Sequence, residues 1–135
     1  MCGSQNSINL ACGGILKAFH SWLAESCAEH QTDIIVLTLM PDHIHAVLEG
    51  LTDDADVLGA VYLFKQRCGY WGKRLFPGLN LQKDFCDHIV RDNENLTKHI
   101  HYVLNNPVRA GLATTWDEYP HSLVREDLRQ QLTAG

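Results

Sequence analysis

The sequence predicts an α+β fold in which helices pack on one face of an antiparallel sheet. Three observations lead to this prediction. Apolar side chains recur at helical spacing between about residues 10 and 30. Two β-branched stretches, "DIIVLTLM" (33–40) and "HIHAVLEG" (43–50), flank a Pro-Asp turn and predict a hairpin. A third predicted strand, "KDFCDHIV" (83–90), lies between two helical stretches.

The remaining elements follow from local signals. Acidic residues at 52–54 predict the start of a second helix, which runs to about residue 75 despite three glycines. "PGLN" (77–80) then interrupts the chain. Asp92 is predicted to cap a helix over 93–105. The tail, 116–135, predicts a loop and a short polar helix.

The order helix, strand, strand, helix, strand, helix matches a ferredoxin-like β-α-β-β-α-β fold with an added C-terminal helix, except for its first strand. Only "NSINLAC" (6–12) precedes the first helix as a candidate, and it is short. We therefore expect this strand to be missing or replaced, by residues 4–10, by another chain or by a rearrangement. Unpaired backbone groups at the sheet centre would favour a homodimer.

Length and composition indicate one domain, 1–135, with loose ends expected at 1–9 and 124–135. The net charge of -5 argues against a generally basic nucleic-acid binder but not against a local basic face. The sequence contains neither an 18-residue apolar run nor a signal peptide, so we expect no membrane partner. Five cysteines without a CxxC pair are typical of reduced thiols in a cytoplasmic protein.

The stretch "LMPDHIHAVLEG" (39–50) carries the first chemical signal. His43 and His45 are two apart on a predicted strand, so their side chains point to one face. Two neutral imidazoles on one face can chelate a divalent ion. Two histidines on a solvated sheet face are the simpler interpretation of an isolated HxH, and a third ligand would be needed to favour metal binding instead.

The stretch "HIHYVLNNPVRAGL" (99–112) carries the second signal, at a helix end. Leu96, Ile100, Val103 and Leu104 form the predicted core stripe of this helix. Tyr102 lies off that stripe, and Asn106 follows one turn later on the same side. A half-buried aromatic residue at the helix edge is the simpler interpretation of Tyr102 when it is considered alone.

Together the two stretches resemble one family. The Met-Pro-preceded HxH is similar to the "HUH" motif of single-tyrosine transposases, and "YVLNNPVRAGL" resembles the catalytic helix of their REP-associated branch. "FCDHIVRDNENL" (85–96) and "WDEYPHSL" (116–123) resemble the same branch, so the resemblance covers about residues 10–123.

The resemblance implies cleavage of single-stranded DNA beside a hairpin. Tyr102 would be the nucleophile, although a phenol with a pKa of about 10 attacks poorly at neutral pH. His43, His45 and, at the position of the family's third ligand, Asn106 would hold Mg²⁺ or Mn²⁺, which would activate the phosphate. The 5′-phosphotyrosine conserves the bond energy, so strand transfer would need no nucleotide cofactor.

Basic and aromatic residues provide candidate DNA contacts. Tyr70 and Trp71 could stack on unpaired bases. The cations of the second helix and those around the presumed site could hold phosphates, and His88 and His99 could help orient them. The full set of DNA-binding candidates is Lys65, Arg67, Tyr70, Trp71, Lys73, Arg74, Arg91, Lys98 and Arg109.

Two features depart from the family, namely the acidic net charge and the lack of an ordinary first strand. They leave two hypotheses of different classes. The first is a strand-transfer enzyme acting through Tyr102. The second is a truncated, non-catalytic DNA- or protein-binding module derived from the same fold. A simple zinc-binding protein is a weaker third possibility, since the sequence lacks a thiolate cluster.

Overall fold

The computed structural model describes residues 14–76, 85–90 and 96–134. Its first half contains α1 (Ile15–Ala28), β1 (Thr32–Leu39), β2 (Ile44–Gly50) and α2 (Val57–Arg67). The chain continues from α2 through a π-helix (Cys68–Gly72) into α3 (Lys73–Leu75). Its second half contains β3 (Cys86–Val90), α4 (Leu96–Leu104), α5 (Asn106–Arg109), a 3₁₀ turn (Trp116–Glu118), β4 (Ser122–Val124) and α6 (Glu126–Ala134).

The described strands form one sheet in the order β3-β2-β1-β4. The hairpin β1–β2 and the pair β1–β4 are antiparallel. These three antiparallel strands and the surrounding helices confirm the predicted α+β class. The strand β3 differs in one respect, because it pairs with β2 in parallel. This direction follows from α2, which is the long crossover that a parallel pair requires.

The direct pairing of β2 with β3 closes the place where a central first strand would lie. Ile44 is opposite Cys86, and the register continues to Leu48 opposite Val90. The backbone groups on this edge of β2 are therefore bonded within one chain. Three replacements for the first strand were expected, namely residues 4–10, another chain or a rearrangement. The direct pairing of β2 with β3 is a rearrangement. The homodimer stays a prediction, but it is no longer needed to complete this edge.

The first face of the sheet is covered by α1 and α2. Ile44, Ala46 and Leu48 alternate along β2 and are buried on this side. Phe19 of α1 and Phe64 of α2 pack in the same cluster, with their ring centroids 6.4 Å apart. This is the face on which the helices were predicted to lie.

The second face is covered by α4, which is the predicted additional helix. Its buried side chains are Ile100, Val103 and Leu104, which confirms the described part of the predicted stripe. They pack on Val47 of β2 and on a β-bulge in β1, where the register shifts between Ile34 and Val36. The bulge turns Ile35 and Val36 into the same cluster, which enlarges the apolar platform beneath α4.

The second helix begins later than its acidic residues suggest. Residues 52–54 lie in turns, and Asp56 is the N-cap, with Oδ1 accepting a hydrogen bond from the N–H of Gly59 at 2.9 Å. Glycines also fail to end this helix. Gly69 and Gly72 lie in the π-helix, where one extra residue is accommodated without a break.

The tail is more ordered than expected. A loose end was expected from residue 124 onward, but Val124 completes β4 and the short polar helix predicted for the tail is present as α6. Arg125 anchors them, since its guanidinium bonds Asp33, Glu49 and Asp127 at 2.9, 2.6 and 2.9 Å. These hydrogen bonds, led by the one that Arg125 donates to Glu49, raise the pKa of Arg125 and keep it charged. The strand β4 was missed because three residues carry too little alternation to be recognised.

Other expectations concern residues outside the described ones. These are the ends 1–13 and 135, the "PGLN" break and the cap at Asp92. Among the described cysteines, Cys27, Cys68 and Cys86 are buried thiols that form no disulfide. Burial raises the pKa of the Cys27 thiol to about 12 and also raises the pKa of Cys68, so both stay protonated. No helix within the described ranges is long and apolar enough to cross a membrane.

A buried tyrosine joins the "WDEYPHSL" segment to the hairpin. The Tyr119 hydroxyl donates to the carbonyl of Leu39 at 2.6 Å, and the Leu39 N–H donates to the carbonyl of His121 at 2.9 Å. Burial raises the pKa of Tyr119 to about 12. Only 6% of the residue is exposed, so its hydroxyl is a structural donor.

We predict that Tyr119→Phe lowers the free energy of unfolding by about 1–3 kcal/mol at neutral pH, because the Leu39 carbonyl loses its donor. The raised pKa means that the folded state holds this proton more tightly than the unfolded state. Its stabilisation is therefore present below pH 10 and is lost as the pH rises to about 12. Urea unfolding across this range measures both effects.

The matched control is Tyr62→Phe, which changes a tyrosine that is 66% exposed on α2. It should leave stability unchanged at every pH. Equal stability of the Tyr119→Phe protein and the wild type at neutral pH would contradict the assignment.

Candidate active site

His43 and His45 point at each other. Their Nε2 atoms are 2.6 Å apart and their rings are nearly perpendicular, at 81°. His45 is buried, and the side chain of His43 is 32% exposed. Because His45 and Val47 are two apart on β2, His45 lies on the face covered by α4. The pair thus brings two imidazole nitrogens to one point at the solvent edge of that face.

Asp42 determines which nitrogen of His43 faces His45. Its Oδ1 lies 2.5 Å from Nδ1 of His43. A carboxylate accepts, so Nδ1 carries the proton and Nε2 keeps its lone pair. The contact between the rings then requires a hydrogen on Nε2 of His45, and a cation bound to both rings would displace that hydrogen. A carboxylate behind a histidine is also the arrangement that orients metal-binding imidazoles.

The histidine pair fits two positions around a divalent cation. Two imidazole nitrogens bound at right angles to one ion lie about 3 Å apart, since each bond is about 2.1 Å long. The observed 2.6 Å is slightly shorter, and a small rotation of the exposed ring corrects it. No group of three His, Cys, Asp or Glu side chains suited to a metal occurs among the described residues. Within that part of the chain, a third position would therefore fall to an amide oxygen, to water or to the substrate.

The end of α4 lies over the same end of the sheet. His45 is the register partner of Thr38, and the Thr38 and Ser122 hydroxyls are 3.0 Å apart. Ser122 and Leu104, the last residue of α4, line one cavity of about 230 Å³. A row of polar side chains therefore runs from His45 across β1 to β4, beneath the final turn of α4.

Tyr102 is open to solvent at this end of α4, with 55% of its surface exposed. Tyr119 offers a contrast, since its hydroxyl is buried and bonded. Asn106, the first residue of α5, is half-buried, and its Oδ1 accepts a hydrogen bond from Arg109. Within the described residues no hydrogen bond joins Asn106 to His43 or His45. The suggested convergence of the amide on the histidine pair stays a prediction.

The candidate DNA-binding residues occupy several surfaces. Tyr70 and Trp71 are 52% and 44% exposed on the π-helix, beside the first face of the sheet. The Arg74 guanidinium stacks 3.7 Å from the Tyr70 ring centroid. Arg67 is turned inward, where it bonds Ser26 at 2.7 Å and Glu29 at 2.5 Å.

The other candidates differ in exposure. Lys73 and Lys98 are exposed, and Lys65 is half-buried. His99 is half-buried in α4. Arg91 and the side chain of His88 fall outside the described residues. The described cations therefore form no single basic stripe. Lys98 and Arg109, on α4 and α5, lie on the side of the sheet that carries the histidine pair. Lys73 and Arg74 follow the π-helix on the other side of the sheet.

A relative from Haemophilus influenzae matches most of the chain. It is named "Putative REP-associated tyrosine transposase" and is 23% identical over 128 residues, which cover 87% of this chain and 73% of the relative. The resemblance to REP-associated tyrosine transposases is therefore confirmed. No protein-family model matches this transposase-like chain, and no solved structure matches it significantly.

Sequence reasoning missed three residues of the candidate site. Asp42 was interpreted only as a turn residue, although an acid directly before the first histidine was a visible signal. Thr38 and Ser122 carried no such signal, because their contact joins residues 84 apart in sequence. The carboxylate bond matters most, since it selects the tautomer of His43.

We predict that Asp42→Ala changes the tautomer of His43. In the wild type, neutral His43 should carry its proton on Nδ1, because Asp42 accepts it. Without that acceptor the Nε2–H form should gain population, which ¹⁵N NMR of labelled histidine measures directly. Asp54→Ala, which removes an exposed acid of the 51–56 turn, is the control and should leave the spectrum of His43 as in the wild type. An unchanged His43 spectrum in the Asp42→Ala protein would contradict the assignment.

Proposed function

We propose that this protein is a transposase-type enzyme that cleaves and rejoins single-stranded DNA at hairpin sequences through Tyr102. One observation carries the proposal. His43 and His45 direct their Nε2 atoms to one point on the sheet face that α4 covers, and α4 exposes Tyr102. The name of the Haemophilus relative supports the same class of activity.

The chemistry is a transesterification at phosphorus. The phenolic oxygen of Tyr102 forms a bond to the phosphorus, and the bond from phosphorus to the 3′ oxygen breaks. The phenol loses its proton, the 3′ oxygen gains one, and the product is a 5′-phosphotyrosine beside a free 3′-hydroxyl. A second 3′-hydroxyl reverses the step and joins the strands, so no nucleotide cofactor is consumed.

The phosphate needs electrophilic activation, since a neutral phenol is a poor nucleophile. Mg²⁺ or Mn²⁺ bound by His43 and His45, with Asn106 as a third ligand, would neutralise charge on the phosphate oxygens. Asp42 supports this role by keeping Nδ1 of His43 protonated and Nε2 available. An amide ligand and open positions for water favour these ions over zinc.

Two surfaces are available for the DNA strand. Lys98 and Arg109 are exposed on α4 and α5, near Tyr102, and can hold phosphates beside the scissile bond. Tyr70 and Trp71 offer aromatic rings for unpaired bases on the opposite side of the sheet, with Arg74 stacked on Tyr70.

A non-catalytic binding module is the second candidate. It is favoured by the net charge of -5 and by Arg67, whose guanidinium bonds Glu29 within the protein. Such a module would keep the surface aromatic residues and form no covalent DNA adduct. In either case a homodimer is part of the proposal, and light scattering would measure it.

We predict that Tyr102→Phe abolishes covalent DNA capture and leaves folding intact. The variant loses only a hydroxyl at an exposed position, so the effect on stability should be at most about 1 kcal/mol. The assay mixes protein, Mn²⁺ and a library of hairpin oligonucleotides, and then detects adducts on denaturing gels. Wild-type cleavage by the Phe variant would exclude Tyr102 as the nucleophile.

The companion variant is His43→Ala, which keeps the phenol and removes one imidazole. It should form adducts more slowly and need more Mn²⁺ to reach its maximal rate, because one metal ligand is lost. The Tyr102→Phe variant tests the attack on phosphorus, and the His43→Ala variant tests the activation of the phosphate by the metal. If the wild type forms no adduct with any hairpin in the presence of metal, the non-catalytic module becomes the better proposal.

We predict that Trp71→Ala weakens binding to single-stranded oligonucleotides by about 1–3 kcal/mol, because a stacked base loses its partner. Fluorescence anisotropy with a labelled strand measures the change. Tyr62→Ala is the matched control, since Tyr62 is 66% exposed on the helix that leads into the π-helix and is not among the candidate DNA-binding residues. An equal loss of affinity in both variants would argue against specific stacking at Trp71.

A further inference from the structure

Arg109 contacts the exposed tyrosine twice. Its guanidinium carbon lies 4.3 Å from the centroid of the Tyr102 ring, and its Nη2 donates to the Tyr102 carbonyl at 2.7 Å. The same Nη2 donates to Oδ1 of Asn106. One planar group thus bridges the nucleophile candidate and the amide that follows it one turn later.

The backbone between α4 and α5 makes this bridge possible. Pro107 lacks an N–H and lies at the start of α5, where a missing donor is tolerated. Tyr102 lies in the last turn of α4 and Arg109 at the end of α5, and the short link at Asn105 leaves the two residues in contact. The end of α5 is set by Gly111, whose φ of 78° is readily adopted by glycine. Arg109 is therefore held at a helix end from which its side chain reaches back over Tyr102.

The orientation of the phenol matters because attack on phosphorus requires a narrow geometry. An exposed tyrosine on a helix has more than one allowed χ1 rotamer. A guanidinium stacked on one ring face restricts that choice and leaves the hydroxyl at the free end of the ring. Stacking of this kind depends on the planar shape of arginine, which lysine lacks.

Asn106 supports the same interpretation. Its Nδ2 is buried without a hydrogen-bond partner within the described part of the chain, whereas its Oδ1 is held by Arg109. The bond to Arg109 thus orients the amide with its oxygen toward the Tyr102 side. An amide oxygen has a second lone pair, so this contact leaves room for another ligand.

We propose that Arg109 is a positioning residue for Tyr102, which holds the phenol ring and the Asn106 amide in one arrangement for attack. This inference rests on the proposed function, because it needs Tyr102 to be the nucleophile. It assigns to Arg109 a role distinct from simple attraction of DNA. No ion pair between Arg109 and a carboxylate occurs among the described residues, so its charge also remains available near the phosphate.

The experiment compares Arg109→Ala and Arg109→Lys with the wild type in single-turnover adduct formation over a range of DNA concentrations. We expect both variants to lose about 10-fold to 100-fold in the maximal rate, as misplacement of a reacting group does. The DNA concentration at half-saturation should change little in Arg109→Lys. The Tyr102 ring signals in NMR spectra of ¹³C-tyrosine protein should shift in both variants.

The matched controls are Arg129→Ala and Arg129→Lys. The Arg129 guanidinium lies 5.5 Å from the Trp116 ring centroid, so these variants also change an arginine that lies over an aromatic ring. They should retain the wild-type rate and the Tyr102 signals. A slow Arg109 variant with unchanged controls supports positioning.

Two results would overturn the inference alone. A wild-type rate in Arg109→Lys would mean that charge suffices, and an increase only in the half-saturating DNA concentration would mean that Arg109 merely binds phosphate. A wild type that forms no adduct with any hairpin removes the proposed function, and this inference falls with it.

Discussion

The strand β2 is hydrogen-bonded along both edges, and the rest of the structure depends on this constraint. Its partners are β1 on one side and β3 on the other. Because a strand in this position cannot rotate, its alternation assigns every side chain to a face. Ile44, Ala46 and Leu48 enter the core beneath α1 and α2, while His45 and Val47 face α4. The packing of the apolar side chains on one face of β2 therefore fixes the direction in which His45 points on the other face.

Parallel pairing between β2 and β3 is the point at which this sheet differs from a ferredoxin-like sheet. In a ferredoxin-like sheet the first strand lies near the centre, and without it two neighbours would expose unpaired backbone groups. Here those neighbours bond each other directly. The rearrangement preserves the β2 face and with it the histidine pair. A sheet in which β2 pairs directly with β3 can thus still bring His43 and His45 together.

Much of the fold was visible in the sequence because it depends on local periodicity. The helical spacing in α1 and the stripe of Ile100, Val103 and Leu104 predicted which sides are buried. The β1–β2 hairpin followed from two β-branched stretches and a Pro-Asp turn. The start of α2 was wrong because acidic residues near a helix are a weaker signal than a cap, and the cap is Asp56. The parallel partner of β2 was not predicted, since strand order depends on long-range contacts.

The candidate site shows the same difference between local signals and long-range contacts. The sequence by itself determined the candidates for chemistry, namely the His43–His45 pair and Tyr102 with Asn106, because the predicted strand and helix periods put each pair on one side. Only the tertiary structure decided that Asp42 selects the His43 tautomer, that Thr38 and Ser122 extend the polar row, and that Arg109 lies on Tyr102. These contacts depend on rotamers, on a turn and on strands far apart in sequence, and periodicity contains no information about any of them.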